Sequence, residues 1–242
     1  MKSRPKVITT SWDDGHPCDW KVANLLAKYG LKGTFYVPRN NTEREVIPIQ
    51  DVKELAQGFE IGGHSLNHVL LHRINEEKAA AEIRGSQEWL SDLLGITPKA
   101  FCYPRGRFTG GIQKLVRDAG FHYARTVQLM RTDLPDAFAA PTTLQLFEHS
   151  RPGYLRNFLR RRDLRTVFRY GVLLRARTDL GFLTDHFLDQ IDAGGGTFHL
   201  WGHSWEIEQY GLWVILDTIL GKLAARKNFR FVFNSELTDL SF

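Results

Sequence analysis

Short apolar runs alternate with stretches whose apolar residues recur at helical spacing, from the start of the chain almost to its end. Residues 7–11 read as a strand, residues 21–29 carry a helical period that stops at Gly30, and residues 33–37 form the next strand. A short helix over 51–57 leads to a strand over 58–62. Asn75, followed by Glu76 and Glu77, caps a long amphipathic helix that runs to Leu94 before Gly95. A strand over 99–103, a helix over 112–119 stopped by Gly120 and a strand over 121–127 continue the alternation. Between 130 and 152 the pattern weakens, with one apolar stretch at 144–147. The arginine-rich segment that follows and residues 178–192 read as helices, 194–196 as a glycine turn, 197–201 as a late strand, 212–225 as a helix and 229–233 as a terminal strand. Such alternation is the mark of βαβ units on a mainly parallel sheet. The expectation is an α/β fold, a distorted (β/α) barrel of seven strands forming a single domain over 1–242, with an open doubly wound sheet as the second choice.

Composition narrows this picture. With 43% hydrophobic and 24% charged residues, the 242-residue chain has the makeup of a soluble globular protein rather than a disordered one. No segment approaches the roughly 20 apolar residues that cross a bilayer, and residues 1–5 do not read as a secretion signal, so a cytoplasmic protein is expected. Cys18 and Cys102 are too few for a disulfide framework or a cysteine zinc site. The net charge of +5 is unevenly placed: residues 151–177 hold nine arginines and one acid, Asp163. Leu155, Phe158, Leu159, Leu164, Val167 and Phe168 are interleaved with them, a composition that suits either a solvated helix face or a basic amphipathic helix lying on an anionic membrane. No base-reading motif points to nucleic acid.

In a parallel barrel, polar residues just beyond the C-terminal ends of the strands converge on one face. Four strand ends here carry such residues. The first runs into Asp13-Asp14-Gly15, two adjacent carboxylates before a glycine; taken alone they serve equally well as a turn. The second leads to His64 and His68, whose i, i+4 spacing on a helical turn lets both imidazoles reach one ion at about 2.1 Å. Joined by an aspartate from another strand end, the pair makes a three-ligand set with room for water, the arrangement of catalytic zinc. The third is Tyr103-Pro104-Arg105-Gly106, a turn that can aim amide N–H groups inward. The fourth holds His199 within a strand and His203 beyond it. Trp12, Trp201 and Trp205 read as packing residues or sugar platforms, Glu206 as a partner of His203 or a cap, and His149 as a peripheral candidate. His16 lines a pocket or merely fills its turn, and His72, His122 and His186 read as ordinary surface or partly buried residues.

Ser11-Trp12-Asp13-Asp14-Gly15, His64-Ser65-x-x-His68, Tyr103-Pro104-x-Gly106 and the late histidine strand resemble, in order, the motifs of the polysaccharide deacetylase (NodB-homology) family, over residues 6 to about 206. The resemblance implies a distorted (β/α) barrel and hydrolysis of N-acyl, sometimes O-acyl, groups on amino sugars with a divalent metal, commonly zinc. Carried over by residue, it makes Asp13 the general base and Asp14, His64 and His68 the metal ligands. It also implies a proton donor for the leaving amine on the late strand, assigned to His203 with His199 as competitor, and places the Arg105 backbone N–H against the oxyanion. One departure stands out. Where many members carry an arginine two residues before the proline of the third motif, this chain has Cys102. Arg125, at the next strand end, is the candidate to supply that charge, the other reading being a surface salt bridge.

The basic segment and the expected compartment point to an amino sugar carried on a lipid or a nucleotide rather than to finished cell wall, with peripheral contact at an anionic membrane face through 151–177. Two other readings remain: a deformylase or amidase using the same machinery on a small related substrate, and a noncatalytic basic module binding membrane or nucleic acid.

Overall fold

The computed structural model describes residues 4–160, 166, 168, 170–171 and 178–240. Strands β1 (Lys6–Asp13), β2 (Thr34–Val37), β3 (Glu60–Gly63), β4 (Ala100–Cys102) and β5 (Tyr123–Arg125) alternate with helices α1 (Asp19–Tyr29), α2 (Ile49–Leu55), α3 (Glu76–Leu94) and α4 (Gly110–Asp118). Then come β6 (Leu144–Gln145), α5 (Arg151–Arg160), α6 (Leu180–Gly194), β7 (Gly196–His203), α7 (Ser204–Tyr210), α8 (Trp213–Ala224) and β8 (Arg230–Phe231). Residues 161–165, 167, 169 and 172–177 of the basic segment, including Leu164 and Val167, lie outside the described residues.

Local chemistry sets the helix ends. The Asn75 side chain accepts the Lys78 N–H and Gly95 closes α3 at φ 69°. Thr109 caps α4 in the same way by accepting the Ile112 N–H, and Gly30 ends α1 at φ 65°, its N–H reaching the carbonyls of Leu26 and Ala27. β7 runs two residues past the expected strand end, to His203, and the helix α7 follows it directly.

The strands form one curled parallel sheet in the order β5-β4-β3-β2-β1-β7-β6. β8 is off this path: it pairs with the first half of β1 at Val7 and Ile8, while β2 takes β1 from Ser11 onward. This is the seven-stranded distorted barrel, with a short eighth strand as a wedge. The gap between β5 and β6 is closed by the weakly patterned stretch. Arg125 bridges Ala140, Thr126 N–H donates to the Ala140 carbonyl, and Thr143 N–H donates to the His199 carbonyl.

Alternation along β1 sorts its side chains. Ile8 and Trp12 join the large core beneath the helices, with Leu26, Phe35, Phe187 and Phe198. Val7 faces the barrel interior with Tyr36, Ala100, Cys102 and Tyr123. The interior is also hydrogen-bonded: buried Asn234 accepts from Tyr36 Oη at 2.7 Å and donates to Thr9 Oγ1 at 2.8 Å. Ser11 Oγ meets His199 Nε2 at 2.8 Å. His199 is therefore tied into the barrel wall. The same register sets Asp13 beside His203 and Cys102 beside Arg125 at the sheet's C-terminal edge.

Candidate active site

Asp13 and Asp14 are neighbours in sequence but are separated by backbone geometry. Asp13 ends β1 with 3% of its surface exposed; Asp14 follows at φ 77° and Gly15 at φ 58°. A Cβ at Gly15 would stand 2.8 Å from Val37 Cγ1 and 3.3 Å from Val37 Cα, so the chain turns there only with glycine. This left-handed pair of residues points the two carboxylates into different neighbourhoods.

Asp14 gathers the histidines. Its Oδ1 lies 3.5 Å from His64 Nε2 and 3.1 Å from His68 Nε2. Its Oδ2 accepts the Trp205 indole N–H at 2.8 Å and lies 4.0 Å from His203 Nε2. Burial alone would raise the Asp14 carboxyl, but the bonds to His64 and His68 and the proximity of His203 hold it well below the usual carboxylate range. It is a ready anionic ligand.

Residues 64–68 do not form the helical turn expected from their spacing. They are a loop in which Ser65 and His68 take φ values of 57° and 52°, and the two left-handed residues, rather than helical periodicity, bring the rings to a 5.0 Å centroid separation. The Ser65 hydroxyl accepts the Val69 N–H at 3.1 Å and fastens the loop. His64 Nδ1 donates to the Cys102 carbonyl at 2.8 Å, which fixes the ring with Nε2 toward Asp14.

Ligand atoms of Asp14, His64 and His68 lie within 4.8 Å of one another. This donor set fits a divalent ion such as zinc: one carboxylate oxygen and two imidazole nitrogens, one of them oriented from behind. A second grouping, Asp13, His64 and Cys102, meets the same distance, but the Asp13 carboxylate is engaged elsewhere.

Arg125 is fully buried, and its Nη2 bonds both oxygens of Asp13. It is not a surface salt bridge. The guanidinium lies 4.7 Å from the Trp201 ring centroid and 5.4 Å from that of Tyr36, and Nη2 is 3.1 Å from Cys102 Sγ. Cys102 thus stands where a longer cation from its own strand would enter, and the neighbouring strand supplies the cation in its place.

His203, the last residue of β7, donates through Nδ1 to Glu206 Oε2 at 2.6 Å. Burial alone would lower this imidazole, but Glu206 together with Asp14 and Asp13 lifts it above the ordinary histidine value. Glu206 also accepts from Gln145 Nε2 at 3.1 Å, and Gln145 Oε1 meets His149 Nε2 at 2.9 Å. His199 lies four residues deeper in the strand and outside this pocket.

Arg105 sits at φ 55° in the turn after β4, whose backbone bonds run from the N–H groups of Gly106 and Arg107 to Tyr103 and Pro104. Its side chain reaches Glu43 Oε1 at 2.7 Å. Arg44, from the same loop as Glu43, stacks 4.1 Å over the Trp205 ring. Together with Asp13, Asp14, the three histidines and Val127 these residues line a pocket of about 300 Å³. Glu43, Arg44 and Gln145 carry no sequence signal: two lie in an unpatterned loop and the third in a two-residue strand. Trp12 is a core residue, and His16 accepts the Cys18 N–H within its own turn at 3.1 Å.

A family model described as polysaccharide deacetylase matches residues 1–124, just over half of the chain. Among curated relatives, a peptidoglycan-N-acetylglucosamine deacetylase of Bacillus cereus is 26% identical over 127 residues, 50% of this chain and 56% of that protein. Chitin deacetylase 1 of Cryptococcus neoformans is 26% identical over 111 residues, 46% of this chain and 23% of its own. The chain spans about half or less of the length of the curated relatives it matches. The solved chitin deacetylase of Colletotrichum lindemuthianum superposes with a TM-score of 0.62 at 17% identity, covering 96% of this chain and 87% of that one. The fold likeness therefore extends beyond residue 124, into the half that carries Arg125, His203 and Glu206.

Proposed function

The chain belongs to the polysaccharide deacetylase family, and from that premise we propose that it is a metal-dependent hydrolase that removes an N-acyl group, in the first instance N-acetyl, from an amino-sugar carbohydrate or glycolipid precursor. The observation that carries the proposal is the Asp14, His64 and His68 cluster, set beside the buried Asp13–Arg125 pair and His203 in one pocket.

Asp14, His64 and His68 would hold the ion, with zinc the metal that two imidazoles and a carboxylate suit best. When bound, a divalent ion supplies Lewis acidity, polarising the amide carbonyl and making water a nucleophile near neutral pH. Asp13, held by Arg125, takes a proton from the attacking water. The Arg105 N–H, at a turn lining the same pocket, donates to the oxygen that gains charge at the tetrahedral carbon. His203, kept charged by Glu206, gives its proton to the departing amine as the C–N bond breaks.

Free Cys18 and Cys102 suit the cytoplasmic setting that is part of this proposal. Exposed Leu155, Leu159 and Phe168, at 46%, 55% and 86%, support the accessory contact of the basic segment with an anionic membrane face. The test is acetate release from N-acetylglucosamine oligomers and from carrier-linked N-acetylglucosamine, scored against N-formyl counterparts. A preference for formyl substrates moves the protein to the deformylase reading. No hydrolysis of any of them, with no divalent ion bound, leaves the noncatalytic module.

A further inference from the structure

We infer that the cavity adjoining the metal-ligand cluster is an anion subsite, taking a phosphate or diphosphate group carried by the amino sugar; its place beside the reacting carbon rests on the deacetylase reading, its binding chemistry does not. The cavity measures about 360 Å³ and shares Arg105 and Val127 with the pocket of Asp13, Asp14 and His203. Arg105, Arg107, Arg156, His72 and His149 line it, and among the described residues no acidic side chain does.

Arg105 is already paired with Glu43. Arg107 and Arg156 have no acidic partner within 4.0 Å among the described residues, and both are exposed. The histidines add little charge, and of the two only His72 has a buried ring nitrogen without a partner, since the N–H of neutral His149 is donated to Gln145 Oε1. Burial, then Arg107 and Arg73, lowers His72; burial lowers His149 against the pull of Glu206, with Arg156 adding to the effect. Two helices also begin at the wall. Thr109 caps α4, and Gly153 lies in the first turn of α5, so both present the positive ends of their dipoles there.

The helical turn that carries Arg156 is held in position. On either side of that residue Tyr154 is 1% exposed in the main core, and Asn157 donates to the Val127 carbonyl at 3.0 Å while accepting the Leu129 N–H at 3.3 Å. A neutral glycan gives two uncompensated guanidiniums nothing to neutralise, and a single carboxylate gives them half of what they can take. A phosphate monoester dianion or a diphosphate matches both. A nucleotide carrier and a lipid carrier share this group.

The test titrates the zinc-loaded protein with N-acetylglucosamine 1-phosphate, N-acetylglucosamine and glucuronic acid by calorimetry. The phosphorylated sugar is expected to bind at least about tenfold more tightly than the other two, and the Arg107→Ala/Arg156→Ala double variant to lose that advantage with its zinc content unchanged. Arg84→Ala, on the exposed side of α3, controls for the loss of an exposed arginine away from the cavity. Equal affinity for the neutral sugar, preference for the carboxylate, or a phosphate preference that survives in the double variant each overturns the subsite. UDP-N-acetylglucosamine against a short-chain prenyl diphosphate N-acetylglucosamine then separates the carriers, tighter binding of either over chitobiose supporting the site. Anion binding without acetate release from any substrate would remove the deacetylase reading alone. Acetate release from neutral oligomers without anion preference would remove the subsite alone.

Discussion

Two adjacent aspartates meet separate partners here because the backbone turns between them. Asp13 faces Arg125 inside the barrel and Asp14 faces the histidines. Asp13→Asn keeps the shape and the metal ligands and removes the proton acceptor, so zinc content should stay at the wild-type level while acetate release falls by about 10² to 10⁴. Retained activity in that variant would remove Asp13 as the base. Glu206→Gln probes the other end of the reaction. Glu206 raises the His203 pKa, so its loss lowers it. A rate that needs protonated His203 should then lose its alkaline limb at a lower pH than wild type, and an unchanged pH–rate profile would detach Glu206 from His203. At this scale the clustering of Asp14, His64 and His68 was legible because aspartate and paired histidines sit at strand ends in family order. The Asp13–Arg125 contact was legible only as one of two readings, since a contact 112 positions apart in sequence depends on sheet register. Glu43, Arg44 and Gln145 were not legible at all, because loops and two-residue strands carry no period.

Among the elements, β3 controls the geometry of the histidine loop. A Cβ at Gly62 would lie 2.6 Å from the Tyr36 ring and 2.8 Å from the Ala100 carbonyl oxygen, and a backbone oxygen in a sheet cannot step aside. Gly62→Ala should cost about 1–3 kcal/mol in denaturant unfolding and should weaken zinc binding, since β3 leads directly to His64. Loss of stability with unchanged zinc affinity would show that the loop is positioned independently of the strand. Caps and glycine stops made α1, α3 and α4 readable nearly to the residue. The stretch from 130 to 143 was not readable, because its backbone groups pair in single bridges with two different strands and leave no alternation. The helical turn expected for 64–68 failed for a related reason: an i, i+4 spacing also fits a loop with two left-handed residues.

At the scale of the whole molecule, the barrel interior carries polar groups from bottom to top, and its acid stability follows from one of them. His199 is buried, and burial with Arg125 nearby holds its pKa well below 6.5. The native state therefore leaves it neutral. Its stabilising contribution is complete above pH 6.5 and is lost as pH falls from there toward the depressed native value, because the unfolded chain takes up a proton that the native chain refuses. The slope is at most about 1.4 kcal/mol per pH unit. His199→Gln should flatten the stability profile between about pH 6.5 and 5, and an unchanged slope would assign it to other groups. The same architecture joins the two halves of the chain at one end of the sheet: Asp14, His64 and His68 come from the half matched by the family model, and Arg125, His203 and Glu206 from the other. We propose that this junction is a metal-dependent hydrolytic centre, and titrating zinc into metal-stripped protein while following acetate release from an N-acetylated amino sugar decides it. Activity should rise from background to a plateau at one ion per chain. Hydrolysis that persists after stripping, or none at all with the ion bound, would contradict it.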